Sequence, residues 1–152
     1  MIPGESVFPE GEVSMFSSIG GSAEMQILFC AVLLGLIQLV LAAAIGVQSA
    51  GLGWAAGPRD VARAHPGRIA GRFERAFENF LETFPFFAAG VLLVHALDKS
   101  THTSVLGSQI YIWARVLYVP AYVIAIPFVR TFIWAASLVG ILMVLVALWP
   151  GM

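Results

Sequence analysis

The stretch RFERAFENFLETFPFF, Arg72 to Phe87, sets arginines, glutamates and an asparagine inside an otherwise hydrophobic span. At helical spacing Arg72, Arg75, Asn79 and Glu82 recur at i, i+3, i+7 and i+10 and share one face, with Glu78 beside them. A charge near the centre of a bilayer costs about 2.5 to 3.5 kcal/mol on insertion scales unless it meets a partner or water. A polar stripe running into a membrane helix therefore lines something.

Composition makes the membrane the solvent. Of 152 residues, 59% are hydrophobic and 11% charged. The mean hydropathy of +0.89 is far above that of a soluble domain and indicates an integral membrane protein. Eight basic and nine acidic residues leave a net charge of -1, which points to no nucleic acid partner. Cys30 is the sole cysteine, which excludes an internal disulfide and a cysteine metal site; its apolar surroundings in sequence predict a small buried hydrophobe. His65, His95 and His102 lack metal-ligand spacing, so no metal is expected.

Four spans follow from hydropathy: about 23–46, 71–97, 105–126 and 131–149, each near the ~20 helical residues that cross ~30 Å of hydrocarbon. Residues 1–22 read as a polar N-terminal tail with Glu5, Glu10 and Glu12 and no basic n-region, which argues against a cleavable signal peptide, and residues 23–152 read as one membrane domain. Gly57, Pro58, Pro66 and Gly67 break the first connection, residues 98–104 form the second, and a tight turn around Pro127 forms the third. The expected fold is an all-α, up-down-up-down bundle of four transmembrane helices. Small residues of the first span, Ala31, Gly35, Ala42 to Ala44 and Gly46, suit close helix packing. Trp54, Trp134 and Trp149 lie toward span ends as interfacial anchors do, with Trp113 deeper.

Arg59, Arg63, Arg68, Arg72 and Arg75 flank the first connection, whereas the second holds Lys99 offset by Asp98. By the positive-inside rule the first connection faces the cytoplasm, with both termini on the other side. The third span, running inward, carries a second stripe of Arg115, Tyr118 and Tyr122 at i, i+3 and i+7. At ~1.5 Å per residue, Glu82 and Arg115 lie roughly 15 Å from opposite surfaces and so reach similar depth. An intramembrane Glu82 to Arg115 pair is the economical arrangement, and it can be a purely structural clasp. Arg72, Arg75, Asn79, Tyr118, Tyr122 and Arg130 gather toward the cytoplasmic half. Guanidinium forks, an amide and phenols suit a polar, anionic small molecule with several hydrogen-bonding groups. The bland alternatives are a snorkelling Arg72 and tyrosines that merely pack.

The pattern R-x-x-R-A-x-x-N-x-x-E-x-x-P from Arg72 to Pro85 resembles the signature of the MAPEG family, the membrane-associated proteins in eicosanoid and glutathione metabolism. The resemblance extends from about Gln26 onward, through Arg59-Asp60 and the Arg115, Tyr118, Tyr122 pattern, and is strongest to short bacterial members. It implies a homotrimer in a bacterial inner membrane with glutathione held between subunits as cosubstrate. By the same resemblance Arg72, Arg75, Asn79, Glu82, Tyr118 and Tyr122 contact glutathione, Arg59 reaches the neighbouring subunit's ligand, and Arg130 holds the thiolate. Thr83 and Phe77 depart from some members, which carry a tyrosine and a polar residue there. The implied activity is transferase or peroxidase chemistry, in which the activated thiol attacks a hydrophobic small molecule or lipid arriving from the bilayer. The alternative is a non-enzymatic lipid- or ligand-binding membrane trimer of the same fold. A small transporter subunit is a third reading, disfavoured because no inverted repeat or broken helix pair is evident.

Overall fold

A computed structural model describes residues 22–51, 53, 56–58, 67–124 and 128–149. The expected tail, Trp54, the loop arginines Arg59 and Arg63, and the Pro127 turn lie outside the described residues. Among those described, four long helices follow in order: α1 (Ala23–Ala50), α2 (Arg68–Ala96), α3 (His102–Ile124) and α4 (Val129–Val146). Each lies within a few residues of a span expected from hydropathy. By length and composition α1, α2 and α4 suffice to cross a membrane. The more polar α3 carries Ser104, Ser108, Gln109, Arg115 and three tyrosines in its 23 residues, and most of these face inward.

α2 packs against the other three helices, α3 and α4 form the most extensive interface, and α1 covers α2 and α3. The α3–α4 contact is tight because two glycines meet. A Cβ on Gly107 would stand 2.7 Å from the Gly140 carbonyl oxygen, and one on Gly140 would stand 2.6 Å from that of Gly107. Without water to drive apolar surfaces together, such backbone approach is what dispersion requires of membrane helices. On α1 the buried positions Glu24, Leu28, Ala31, Gly35, Gln38, Ala42 and Gly46 repeat at three- and four-residue steps, one stripe facing the bundle. Ala43 and Ala44 lie off it and are exposed. Cys30 also points outward, contrary to the expected buried role, because it sits on the far face from Leu28 and Ala31.

The two halves of the bundle differ in character. Leu28, Phe87, Val91, Val94, Tyr111, Ile141 and Val144 build an apolar core toward the end that holds the start of α1 and the close of α4. There the connection from α2 to α3 is ordered by paired caps. Asp98 takes a left-handed conformation, φ 52°, and its N–H and that of Lys99 bond back to the carbonyls of His95 and Val94, ending α2. Thr101 and Ser104 exchange backbone N–H to hydroxyl bonds of 3.1 and 2.8 Å, a capping box that starts α3. The carboxylate of Glu24, fully buried, accepts from Ser100 at 2.7 Å and Ser104 at 2.6 Å. The polar stripes occupy the other half.

Candidate functional site

α2 and α3 run antiparallel, so the first turns of α2 meet the last turns of α3. The guanidinium of Arg72 donates from Nη1 to the carbonyl of Val123 in the last described turn of α3. A cation there also suits the negative end of the helix dipole. One turn on, Arg75 Nε donates to the Tyr122 hydroxyl at 3.1 Å, and its guanidinium carbon lies 6.0 Å from the ring centroid. Arg130, in the first turn of α4, lies over the same ring at 5.4 Å. Tyr122 thus stands between two cations from two helices, both of which its π-face attracts.

Deeper in the bundle Arg115 is 1% exposed and Tyr118 6%, whereas Arg75 and Glu82 are exposed on the surface of the single chain. Arg115 lies between the rings of Tyr111 and Tyr118, at 5.5 and 5.7 Å, and Tyr111 stacks on Phe87 at 3.9 Å. Arg115 does not pair directly with Glu82 as the economical arrangement had it. Its Nη1 donates to Asn79 Oδ1 at 2.8 Å, and Asn79 Nδ2 donates to Glu82 Oε2 at 3.3 Å. The physical reason is that Asn79 stands one turn before Glu82 on the same face, and its amide can serve a donor and an acceptor at once. The expected clasp becomes a chain of cation, amide and carboxylate.

A pocket of about 180 Å³ opens beside this chain, lined by Asn79, Tyr118, Arg130, Thr131 and Trp134. The structure therefore brings Asn79, Tyr118 and Arg130 to one pocket and places Tyr122 and Arg75 at its Arg130 end. Arg72 is turned to the α3 terminus, and Arg59 lies outside the described residues. Thr83 faces inward, buried, with its hydroxyl donating to the Phe80 carbonyl at 3.2 Å, so it adds nothing to the pocket. A separate recess of about 200 Å³ between α1 and α2, lined by Val32, Gly35, Leu36, Phe77, Phe80 and neighbours, carries the apolar face of α2 and none of these polar groups.

Three contributors escaped sequence reasoning. Tyr111 was legible, one turn before Arg115 on its own stripe. Thr131 and Trp134 carried no such signal, because only the packing of α4 against α2 and α3 turns them to the pocket.

Fold and site together define an integral membrane helical bundle with a cationic and phenolic pocket toward one end. The family model described as the MAPEG family matches residues 27–149, and the chain belongs to that family. It is a membrane protein of the type found in glutathione and eicosanoid metabolism. No curated protein and no solved structure matches the chain closely enough to add a nearer relative.

Proposed function

We propose that the chain binds glutathione and activates its thiol for attack on a hydrophobic electrophile, as a transferase or a peroxidase. The observation that carries this reading is the polar face of α2, where Arg75, Asn79 and Glu82 lie beside a pocket bearing Arg130 and Tyr118. Glutathione has two carboxylates, one ammonium and two amides. Guanidinium groups at Arg75 and Arg130, a carboxylate at Glu82, an amide at Asn79 and phenols at Tyr118 and Tyr122 match that inventory in charge and in hydrogen-bonding capacity. Arg59 would add a contact from a neighbouring subunit, and Arg72 would hold the α3 end on which Tyr122 rides.

Two features support an assembly of copies with the ligand between subunits, for which the family resemblance implies a homotrimer. Charged side chains exposed on a membrane helix need cover from something other than lipid. The single-chain pocket of about 180 Å³ is also smaller than the ~300 to 1,000 Å³ usual for ligand clefts, so one chain supplies part of a site.

The chemistry is thiol ionisation. At its ordinary pKa of ~8.5 a thiol is only about 3% thiolate at pH 7, and lowering that value by about two units makes it roughly three-quarters ionised. A guanidinium at Arg130 favours the anion by Coulomb attraction without taking the proton itself. The thiol proton passes to water. The thiolate sulfur then bonds to an electrophilic carbon of an apolar molecule entering from the bilayer as that carbon's leaving group departs with the bonding pair. With a peroxide it bonds to one oxygen as the O–O bond breaks and the other leaves as an alkoxide that water protonates, and a second glutathione reduces the sulfenic acid to disulfide and water. The non-enzymatic reading, a lipid- or ligand-binding membrane trimer of the same fold, keeps the polar stripes for assembly and needs no glutathione. Calorimetry of the detergent-purified protein with glutathione tests the reading: saturable binding is expected, and no heat of binding at millimolar glutathione would contradict it.

A further inference from the structure

We propose that Arg115 is a positioning residue, buried behind the pocket, that fixes the side-chain amide of Asn79 so that its NH2 group faces Glu82. An arginine only donates hydrogen bonds and a carboxylate only accepts them. An amide between the two has one orientation that satisfies both, with Oδ1 on Arg115 at 2.8 Å and Nδ2 on Glu82 at 3.3 Å. The guanidinium is itself held by packing. It is 1% exposed, lies between Tyr111 and Tyr118, and is backed by the Tyr111–Phe87 stack.

Asn79 is the side-chain acceptor that Arg115 meets; its Nε and Nη2 find none among the described residues. A buried cation holds its acceptor tightly, because releasing it leaves part of the charge unsolvated. Arg115 is absent from the pocket lining, whereas Asn79 is on it. Arg115 reaches the pocket through two lining residues, Asn79 by a hydrogen bond and Tyr118 by its ring, and the hydrogen bond is the contact that sets the orientation of the amide. With Glu82 Oε2 engaged by the amide, Oε1 is left for an ammonium or N–H of the ligand. This last step rests on the glutathione reading, and it assigns Arg115 to affinity and not to thiol ionisation.

The chain contains one asparagine, Asn79. Labelling with nitrogen-15 asparagine therefore yields a single side-chain NH2 pair in the spectrum of the detergent-solubilised protein, without any ligand. In the wild type those protons should be protected from solvent exchange, and Arg115→Met should speed exchange at least about tenfold, whereas Arg115→Lys, which keeps a donor, should restore part of the protection. A freely exchanging Asn79 amide in the wild type overturns the proposal whether or not either variant folds, as does an unchanged amide in folded Arg115→Met.

Glutathione titration is the second readout. Arg115→Met should raise Kd about tenfold and leave the pH of bound-thiol ionisation where it was. A perturbed amide with unchanged Kd would remove the role in binding. Absence of binding in the wild type would instead refute the glutathione reading, and the amide resonance alone would then decide the positioning role.

Discussion

The carboxylate of Glu24 at the start of α1 accepts a 2.6 Å hydrogen bond from the hydroxyl of Ser104 in the first turn of α3. Ser100 adds a second at 2.7 Å, so one buried acidic side chain joins α1 to the α2–α3 connection and to the capping box that starts α3. A negative group beside the N-terminus of α3 is also favoured by the helix dipole.

Glu24→Ala should therefore destabilise the folded protein by about 2 kcal/mol, since two inward hydroxyls lose their acceptor. Glu24→Gln should cost less, because its amide oxygen still accepts. Thermal unfolding in detergent distinguishes the two, and equal stabilities for both variants and the wild type would show that the clasp contributes nothing.

The glycine crossing of α3 and α4 gives a sharper stability contrast. Gly140→Ala places a methyl 2.6 Å from the Gly107 carbonyl oxygen and 2.8 Å from the Tyr111 nitrogen, both backbone atoms that cannot move without the helices parting. A loss of several kcal/mol is expected, beyond the ~1 to 3 kcal/mol typical of overpacking. Leu142→Ala, two residues along and on the exposed face, should cost under about 1 kcal/mol. A folded Gly140→Ala with wild-type melting would refute the close crossing.

Arg72 separates capping from ligand binding. Its bond to the Val123 carbonyl predicts that Arg72→Gln loosens the last turn of α3, with hydrogen exchange rising there, at a cost of about 1.5 to 3 kcal/mol. Its effect on glutathione affinity should be smaller than that of Arg75→Leu. The opposite ranking, with α3 exchange unchanged, would make Arg72 a direct ligand contact.

Orientation in the membrane has its own test. Cysteines introduced at Ala64 and Ser100 should label from opposite sides, Ala64 from the cytoplasm, because the arginines flank the first connection. Labelling of Ala64 from outside would invert the proposed placement of the site.

The bundle was legible because the helices are long, mostly apolar and closed by breakers such as Gly67 and the turn-forming residues after Leu97. The α2 stripe was legible for the reason that makes it costly, charge at helical spacing inside a hydrophobic span. What pattern could not supply was partner choice. Glu82 and Arg115 were matched by depth, but depth leaves the rotation of each helix unspecified, and at the observed rotation Asn79 intervenes. Glu24 carries no sign of its role in the sequence, because its partners lie 76 and 80 residues away. Gln38, buried on α1 with its amide nitrogen lacking a described partner, was hidden as a lone polar residue in a long apolar run. Cys30 was misplaced for a related cause: in a membrane helix both faces are apolar, so hydrophobicity does not tell the lipid side from the core side.

Arg130, 5.4 Å above the Tyr122 ring and on the pocket wall, is the residue proposed to hold a bound thiol as its anion. The most direct measurement is the ultraviolet thiolate absorbance of protein-bound glutathione against pH, for the wild type, Arg130→Leu and Arg75→Leu, with Kd measured separately for each. The wild type should show thiolate at neutral pH and Arg130→Leu should lose it while still binding; Arg75→Leu should bind more weakly with little change in ionisation. Unchanged thiolate in Arg130→Leu with glutathione still bound would contradict the claim.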